Sequence, residues 1–163
     1  MTFTIVVLAL VTLQRMGELV LARRNTARLL AQGGVEKSPA HYPLIMGLHA
    51  LWLVGLWYFS LALGLAPRLG WLGLFVVLQI FRVWIIMTLG ARWTTRIIVV
   101  PDEKLVHRGP YWLIAHPNYT VVIGEIFVLP MVFGLVWFAV IFSVLNAALL
   151  WVRIRAEDKA LGR

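Results

Sequence analysis

The sequence predicts an all-α integral membrane protein with about five transmembrane helices, one long cytoplasmic loop, the N-terminus outside and the C-terminus in the cytoplasm. Three observations predict it. Of 163 residues, 61% are apolar and only 13% charged, with a mean hydropathy of +0.87, whereas a soluble domain is about half apolar and about a quarter charged. Apolar runs long enough to cross a bilayer recur along the chain. The basic excess, 15 Lys+Arg against 7 Asp+Glu, sits in alternate connecting segments, as expected of cytoplasmic loops. Disordered, collagen-like and ordinary globular readings are excluded. The chain has no cysteine, which removes disulfides, thiolate metal sites and cysteine nucleophiles together.

The first span, about 2–22, is apolar for about 21 residues, which at about 1.5 Å per residue crosses a hydrocarbon core of about 30 Å. No Lys or Arg precedes it and no convincing small-residue cleavage site follows, so it reads as an uncleaved anchor. Residues 23–40 are polar, with Gly33-Gly34 in the middle, and read as a loop with room for one short interfacial helix. The second span runs over 42–63 and the third over 71–89. The intervening turn carries Gly64, Pro67 and Gly70, which makes the pair a tight helical hairpin. Residues 90–117 form the long loop, with Pro101, Gly109-Pro110 and two histidines; loops of this length in a small protein are usually functional. Interruptions at Pro130 and Gly134 divide the remainder into spans of 118–130 and 132–152, followed by a charged tail of 153–163. The whole, 1–163, reads as a single membrane domain. Lys and Arg number four each in 23–40, 90–117 and 153–163, with one in the 64–70 turn and two inside spans. An odd number of spans puts the three basic segments on one side, the cytoplasm, at the plasma or inner membrane.

Polar residues inside the spans share a depth. Gln14, Arg15 and Glu18 in the first span, His49 in the second, Gln79 and Arg82 in the third, Glu125 in the fourth and Asn146 in the fifth lie about 4 to 11 residues from the cytoplasmic boundary, or about 6 to 16 Å deep. Ionisable groups in a membrane face a bundle interior or a cavity, so this placement predicts one polar pocket open to the cytoplasm. The competing reading makes Arg15 with Glu18, and Arg82 with Glu125, structural ion pairs.

The most informative segment is Gly109-Pro110-Tyr111-Trp112-Leu113-Ile114-Ala115-His116-Pro117-Asn118-Tyr119. Pro117 suits the first turn of a helix, where its missing N–H is no loss. His116 then stands beside a helix N-terminus, an environment suited to an anion. This segment resembles the Gly-x-Tyr…Arg-His-Pro-x-Tyr signature of the isoprenylcysteine carboxyl methyltransferase family, membrane enzymes that use S-adenosylmethionine. Arg153-Ile154-Arg155-Ala156-Glu157-Asp158-Lys159-Ala160-Leu161 is similar to that family's Arg-x-x-x-Glu-Glu…Leu ending. Gln14-Arg15-Met16-Gly17-Glu18-Leu19, Arg23-Arg24-Asn25, His41-Tyr42-Pro43 and His49-Ala50-Leu51-Trp52 resemble a short prokaryotic branch associated with alkylpyrone and alkylresorcinol O-methylation.

The resemblance implies a small bundle whose methyl donor lies under the 90–117 loop and is reached from the cytosol, while a lipophilic acceptor enters from the bilayer. It implies cofactor-binding roles for Arg96, Glu103, Lys104, Leu105, Val106, Tyr111, His116, Pro117, Asn118, Tyr119 and Glu157, and an acceptor-facing role for Arg153, four residues before Glu157 and so on the same helix face. Glu18, His49 and Glu125 are candidate bases for a phenolic acceptor. Ala115 stands where the family usually has Arg before His-Pro, and Asp158 where it has a second Glu. Losing that cation weakens recognition of a prenylcysteine carboxylate, so the expected activity is S-adenosylmethionine-dependent O-methylation of a lipid-tailed polyketide, with S-adenosylhomocysteine as product. A polyketide synthase supplying the substrate is the expected partner, alongside membrane lipids; no nucleic acid and no metal are expected. Prenylcysteine methylation is the alternative within the family. A nicotinamide-dependent reductase lacks a GxGxxG fingerprint here. A non-enzymatic protein binding anionic lipid accounts for the net +8 charge but not for the paired loop and tail motifs.

Overall fold

The computed structural model describes residues 1–101 and 103–162. Asp102, in the expected loop, and Arg163, the end of the expected tail, lie outside the described residues. Among the described residues, four helices are long and apolar enough to cross a membrane: α1 (Thr2–Ala31), α2 (Tyr42–Ala62), α3 (Leu69–Leu89) and α6 (Val136–Leu161). Between α3 and α6 come α4 (Pro110–Leu113), a single turn, and α5 (Pro117–Val132), 16 residues long. At about 24 Å, α5 falls short of a full bilayer core. The chain is a multi-pass membrane protein, and the expected count of about five helices is close.

The helix boundaries differ from expectation in three places. First, α1 does not stop at residue 22 but continues through the polar segment to Ala31. Ala22, Asn25 and Leu29 recur at helical spacing and are all buried. The Asn25 amide donates to the carbonyls of Gly90 (3.1 Å) and Trp93 (2.7 Å). Tertiary contact thus extends the helix. It ends at Gly33-Gly34, where the Gly34 N–H donates to Leu29 O at 2.9 Å. A Cβ at Gly34 would lie 2.7 Å from that carbonyl oxygen, so only glycine fits.

Second, α5 runs through Pro130 for two further residues instead of ending there. Proline has no N–H to offer the carbonyl of Ile126 one turn earlier. The Trp52 indole N–H, from α2, donates to that same carbonyl at 3.3 Å. The freed acceptor is therefore satisfied from a neighbouring helix, and α5 packs among its neighbours with Val121, Ile126, Leu129 and Val132 buried. Third, the charged tail is not a separate segment but the last turns of α6, which carries Arg153 and Glu157 on one continuous helix.

One end of the bundle is tied by the Thr4 hydroxyl donating to Leu65 O (2.6 Å) and by Arg68 N–H donating to Val132 O (2.7 Å). An apolar core of Leu8, Val11, Trp52, Leu56, Phe75, Leu129 and Phe133 fills this half. At the opposite end lie the polar groups, the 90–117 segment and a ladder absent from the sequence expectation. There β1 (Val35–Glu36) pairs antiparallel with β2 (Ile98–Val99) in the register Val35↔Val99 and Glu36↔Ile98.

Candidate functional site

Two cavities occupy the polar half. The first, about 190 Å³, lies between the end of α1, the 92–106 segment, the 111–119 segment and the end of α6. Ten of the eleven residues expected to bind a cofactor line it: Arg96, Glu103, Lys104, Leu105, Val106, Tyr111, His116, Asn118, Tyr119 and Glu157. Pro117 does not. It occupies the first turn of α5, with His116 at the N-cap, and so sets where the helix begins.

The Glu157 carboxylate accepts a hydrogen bond from the Tyr119 hydroxyl, which in turn accepts from Arg153 Nε at 2.9 Å. His116 stacks on the Tyr119 ring with centroids 5.5 Å apart, and its Nε2 lies 2.9 Å from Asp158 Oδ1. Asp158, a departure from the family ending, thus holds the signature histidine. Arg92 pairs with Glu103 and donates from Nη1 to Lys104 O at 2.8 Å, which straps the 103–106 segment down. Burial, and after it the Glu157 charge, push the Tyr111 phenol well above its ordinary pKa, so it stays a neutral donor.

Arg96 lines the cavity and is anchored at one nitrogen: Nη1 donates to both oxygens of Glu36 at 2.8 and 2.9 Å, and its Cζ lies 4.6 Å from the centroid of the Tyr42 ring. The Glu36 hydrogen bond raises its pKa. The side chain thus clamps the β1–β2 ladder at the cavity's edge.

The second cavity, about 280 Å³ and mostly apolar, lies deeper, between α1, α2, α3 and α5. Arg153, Glu18, His49 and Glu125 all line it, as do Arg15, Arg82, Tyr42 and Thr95. Arg15 reaches Glu18 and Glu125, both at 2.8 Å. Arg82 also reaches both, Glu18 at 3.3 Å, and Glu125 through two of its guanidinium nitrogens. Gln14 donates to Glu18 at 2.9 Å and to Gln79 at 2.6 Å, and Gln79 donates to Glu125 at 2.8 Å. This corrects the expectation that Glu18 or Glu125 serves as a base, because a carboxylate gripped by two guanidiniums has its lone pairs occupied and its charge compensated. The structural reading of those two residues prevails. In His49, Nδ1 donates to Ile45 O at 2.8 Å, which leaves Nε2 as the acceptor.

Trp93, Thr94, Asn118, Tyr119 and Arg153 line both cavities and form the wall between them. Asn118 Oδ1 and Trp93 Nε1 are buried with no partner among the described residues, an acceptor and a donor left open at that wall. Sequence reasoning did not find Trp93, Thr94, Thr95 or the role of Tyr42. The sole local sign is that Trp93-Thr94-Thr95 turns polar after a span, and nothing in it reveals that Thr95 O holds Arg153 Nη2 at 2.6 Å while its hydroxyl lies 3.1 Å from that of Tyr42.

Comparison with known protein families matches residues 71–163 to the isoprenylcysteine carboxyl methyltransferase (ICMT) family. The curated protein described as uncharacterized protein YpbQ of Bacillus subtilis (strain 168) is 43% identical over 157 residues, covering 94% of each chain. No solved structure matches the chain.

Proposed function

Because the chain belongs to the isoprenylcysteine carboxyl methyltransferase family of membrane methyltransferases, we propose that it moves a methyl group from S-adenosylmethionine to an oxygen of a lipophilic acceptor drawn from the bilayer. The observation that carries this reading is the shared wall: a cavity at the end of the bundle and a mostly apolar cavity within it meet at Tyr119, Asn118 and Arg153. In-line transfer brings the donor's methyl carbon and the acceptor's oxygen into direct contact, so the boundary the two cavities share is where a polar donor and a lipophilic acceptor would have to meet.

The residues present fit the donor. Glu157 and Asn118 Oδ1 are acceptors suited to its ammonium and ribose hydroxyls, Tyr111 is a neutral donor, and Leu105 and Val106 are apolar cover. When bound, the sulfonium supplies the electrophilic methyl carbon and leaves as a neutral thioether. The protein's part is then to align the reacting atoms and exclude water, which accounts for much of the acceleration in reactions of this kind. Arg153, fixed by Tyr119 and by Thr95 O, presents its remaining nitrogen to the acceptor oxygen.

Three guanidiniums and two carboxylates line the inner cavity. The carboxylate beside the third guanidinium, Glu157, reaches Arg153 through the Tyr119 hydroxyl on the side of the outer cavity, so the inner cavity itself is lined by more positive than negative groups. That favours an acceptor already ionised, an acidic enol such as an alkylpyrone or a carboxylate, over a neutral phenol; an alkylresorcinol would rely on His49 Nε2. A lipid-tailed polyketide is the acceptor we propose, delivered by its synthase, with prenylcysteine second because Ala115 offers no cation beside His116. The twelve Lys and Arg of the segments 23–40, 90–117 and 153–163 support a donor cavity facing the cytoplasm, and the plasma or inner membrane is the membrane we propose.

Titration calorimetry of the detergent-purified protein with S-adenosylhomocysteine tests this. Micromolar binding that is lost in Glu157→Ala and His116→Ala is expected. A folded wild type that binds none would overturn the reading and leave anionic-lipid binding as the better account.

A further inference from the structure

The segment that walls the donor cavity has a second face. Tyr111 points into the cavity, while its neighbours Trp112 and Leu113 are 77% and 68% exposed and Ile114 is exposed beside them. Exposed aromatic and aliphatic side chains in sequence are costly in water and mark an interaction surface.

Two contacts fix where this face lies. The backbone at Gly109 runs against α3, since a Cβ there would stand 2.8 Å from Thr88 Oγ1 and 3.4 Å from Trp84 Nε1. Arg108 Nη2 donates to Thr88 O at 3.4 Å. On the last turns of α3, Val83, Trp84 and Met87 are exposed, Met87 to 75%, and α3 is a membrane-spanning helix. The apolar face of 112–114 therefore continues a surface that lipid already covers, at the level where the span ends. Tryptophan is enriched at that level, and cations such as Arg108 are favoured beside headgroups.

We propose that Trp112, Leu113 and Ile114 dock into the membrane interface, and that the lipid surface is the partner that holds the donor-cavity wall in place. The consequence for donor binding rests on the donor reading above; the docking itself does not. The geometry makes Tyr111 and His116 the inner side, and Trp112 and Leu113 the outer side, of one short stretch of chain. Lipid that fixes the outer side limits the motion of the inner side, so donor affinity depends on the bilayer.

Because the chain has no cysteine, Trp112→Cys and His107→Cys each give a single site for a nitroxide label, with His107 exposed in the preceding loop. In vesicles of phosphatidylethanolamine and phosphatidylglycerol, the label at 112 is expected to collide with oxygen, which concentrates in the bilayer, several-fold more than the label at 107, and with an aqueous nickel chelate several-fold less. Equal access to the nickel chelate at both positions would overturn the docking. So would dipolar broadening between labels at 112, which would mean that a second copy covers the face. Calorimetry in nanodiscs then reads the coupling. Trp112→Asp with Leu113→Asp is expected to weaken S-adenosylhomocysteine binding about tenfold while Trp112→Phe leaves it unchanged. Wild-type affinity in the Asp pair would overturn the coupling. A wild type that binds no S-adenosylhomocysteine would remove the donor reading and, with it, the coupling, but not a depth result in favour of docking.

Discussion

At the scale of single residues, the quartet of buried Arg82 and Glu125 with partly buried Arg15 and Glu18 is neutral as a whole and unbalanced by any one loss. Glu125→Gln leaves two guanidiniums facing a single carboxylate in a place where water cannot replace the missing charge. We expect it to cost about 3–5 kcal/mol, read as a large drop in the thermal midpoint in detergent. Arg82→Met combined with Glu125→Leu removes one charge of each sign, keeps the Arg15–Glu18 pair, and should recover most of that loss. A double variant no more stable than Glu125→Gln would mean that the quartet does not act as a unit. Tyr111 offers a second residue-level test. Its raised pKa keeps the phenol protonated above its ordinary titration range, so it donates the same hydrogen bond at neutral and mildly alkaline pH. Tyr111→Phe should weaken S-adenosylhomocysteine binding by about tenfold, and the ratio of the two dissociation constants should stay constant from about pH 7 to about pH 10. A ratio that shrinks toward one across that range would show the phenol ionising. These residues were unequally legible in the sequence. Glu157, Tyr119 and His116 fall inside two short motifs, whereas the partner of Arg96, Glu36, lies 60 positions away, and no local pattern announces it.

At the scale of elements, apolar runs set the spans, but their ends are set by contacts made elsewhere in the chain. Hydropathy placed α2 and α3 to within a residue or two, because Gly64, Pro67 and the exposed ends interrupt the apolar run where the helices stop. It cut α1 short, since residues 23–31 are polar on the outside and the buried stripe of Ala22, Asn25 and Leu29 is too narrow to register as apolar. Asn25→Leu removes the donor to two carbonyls at once. It should cost about 1–3 kcal/mol and raise amide hydrogen exchange in residues 23–31 and 90–93 together, while leaving α2 unchanged. Exchange confined to one of those segments would mean that Asn25 does not tie them. The Pro130 position was misread for a related reason: a proline ends a helix when the carbonyl it orphans has no other partner, and here Trp52 supplies one. The two are therefore coupled. Trp52→Phe strands the Ile126 carbonyl in the wild-type chain, but in a Pro130→Ala background the restored N–H takes it. A double-mutant cycle should give a coupling of about 1 kcal/mol, and strict additivity would reject the compensation.

At the scale of the whole molecule, the two ends of the bundle are chemically opposite. One end carries Thr4, the 63–68 turn and the α5–α6 turn, with Arg68 as the cation of that region. The other carries the extension of α1, the loop over the donor cavity and the last turns of α6, where most of the Lys and Arg are concentrated. The orientation we propose puts the basic end in the cytoplasm, because translocating several Lys and Arg close to span ends is strongly disfavoured. On the proposed reading, that orientation would put the donor cavity where a soluble, charged cosubstrate is found, with the deeper cavity level with the acyl chains that would deliver an acceptor. Orientation and chemistry thus make the same demand on the chain, and one labelling experiment tests both. Thr2→Cys, at the exposed start of α1, should react in intact cells with a maleimide that cannot cross the membrane. Gly162→Cys, just past the end of α6, should react only after the membrane is opened. With no native cysteine to compete, the reversed pattern would be unambiguous. It would put the donor cavity on the side away from the cytosolic cosubstrate pool, and an S-adenosylmethionine-dependent activity could not then be sustained by this protein in its own membrane.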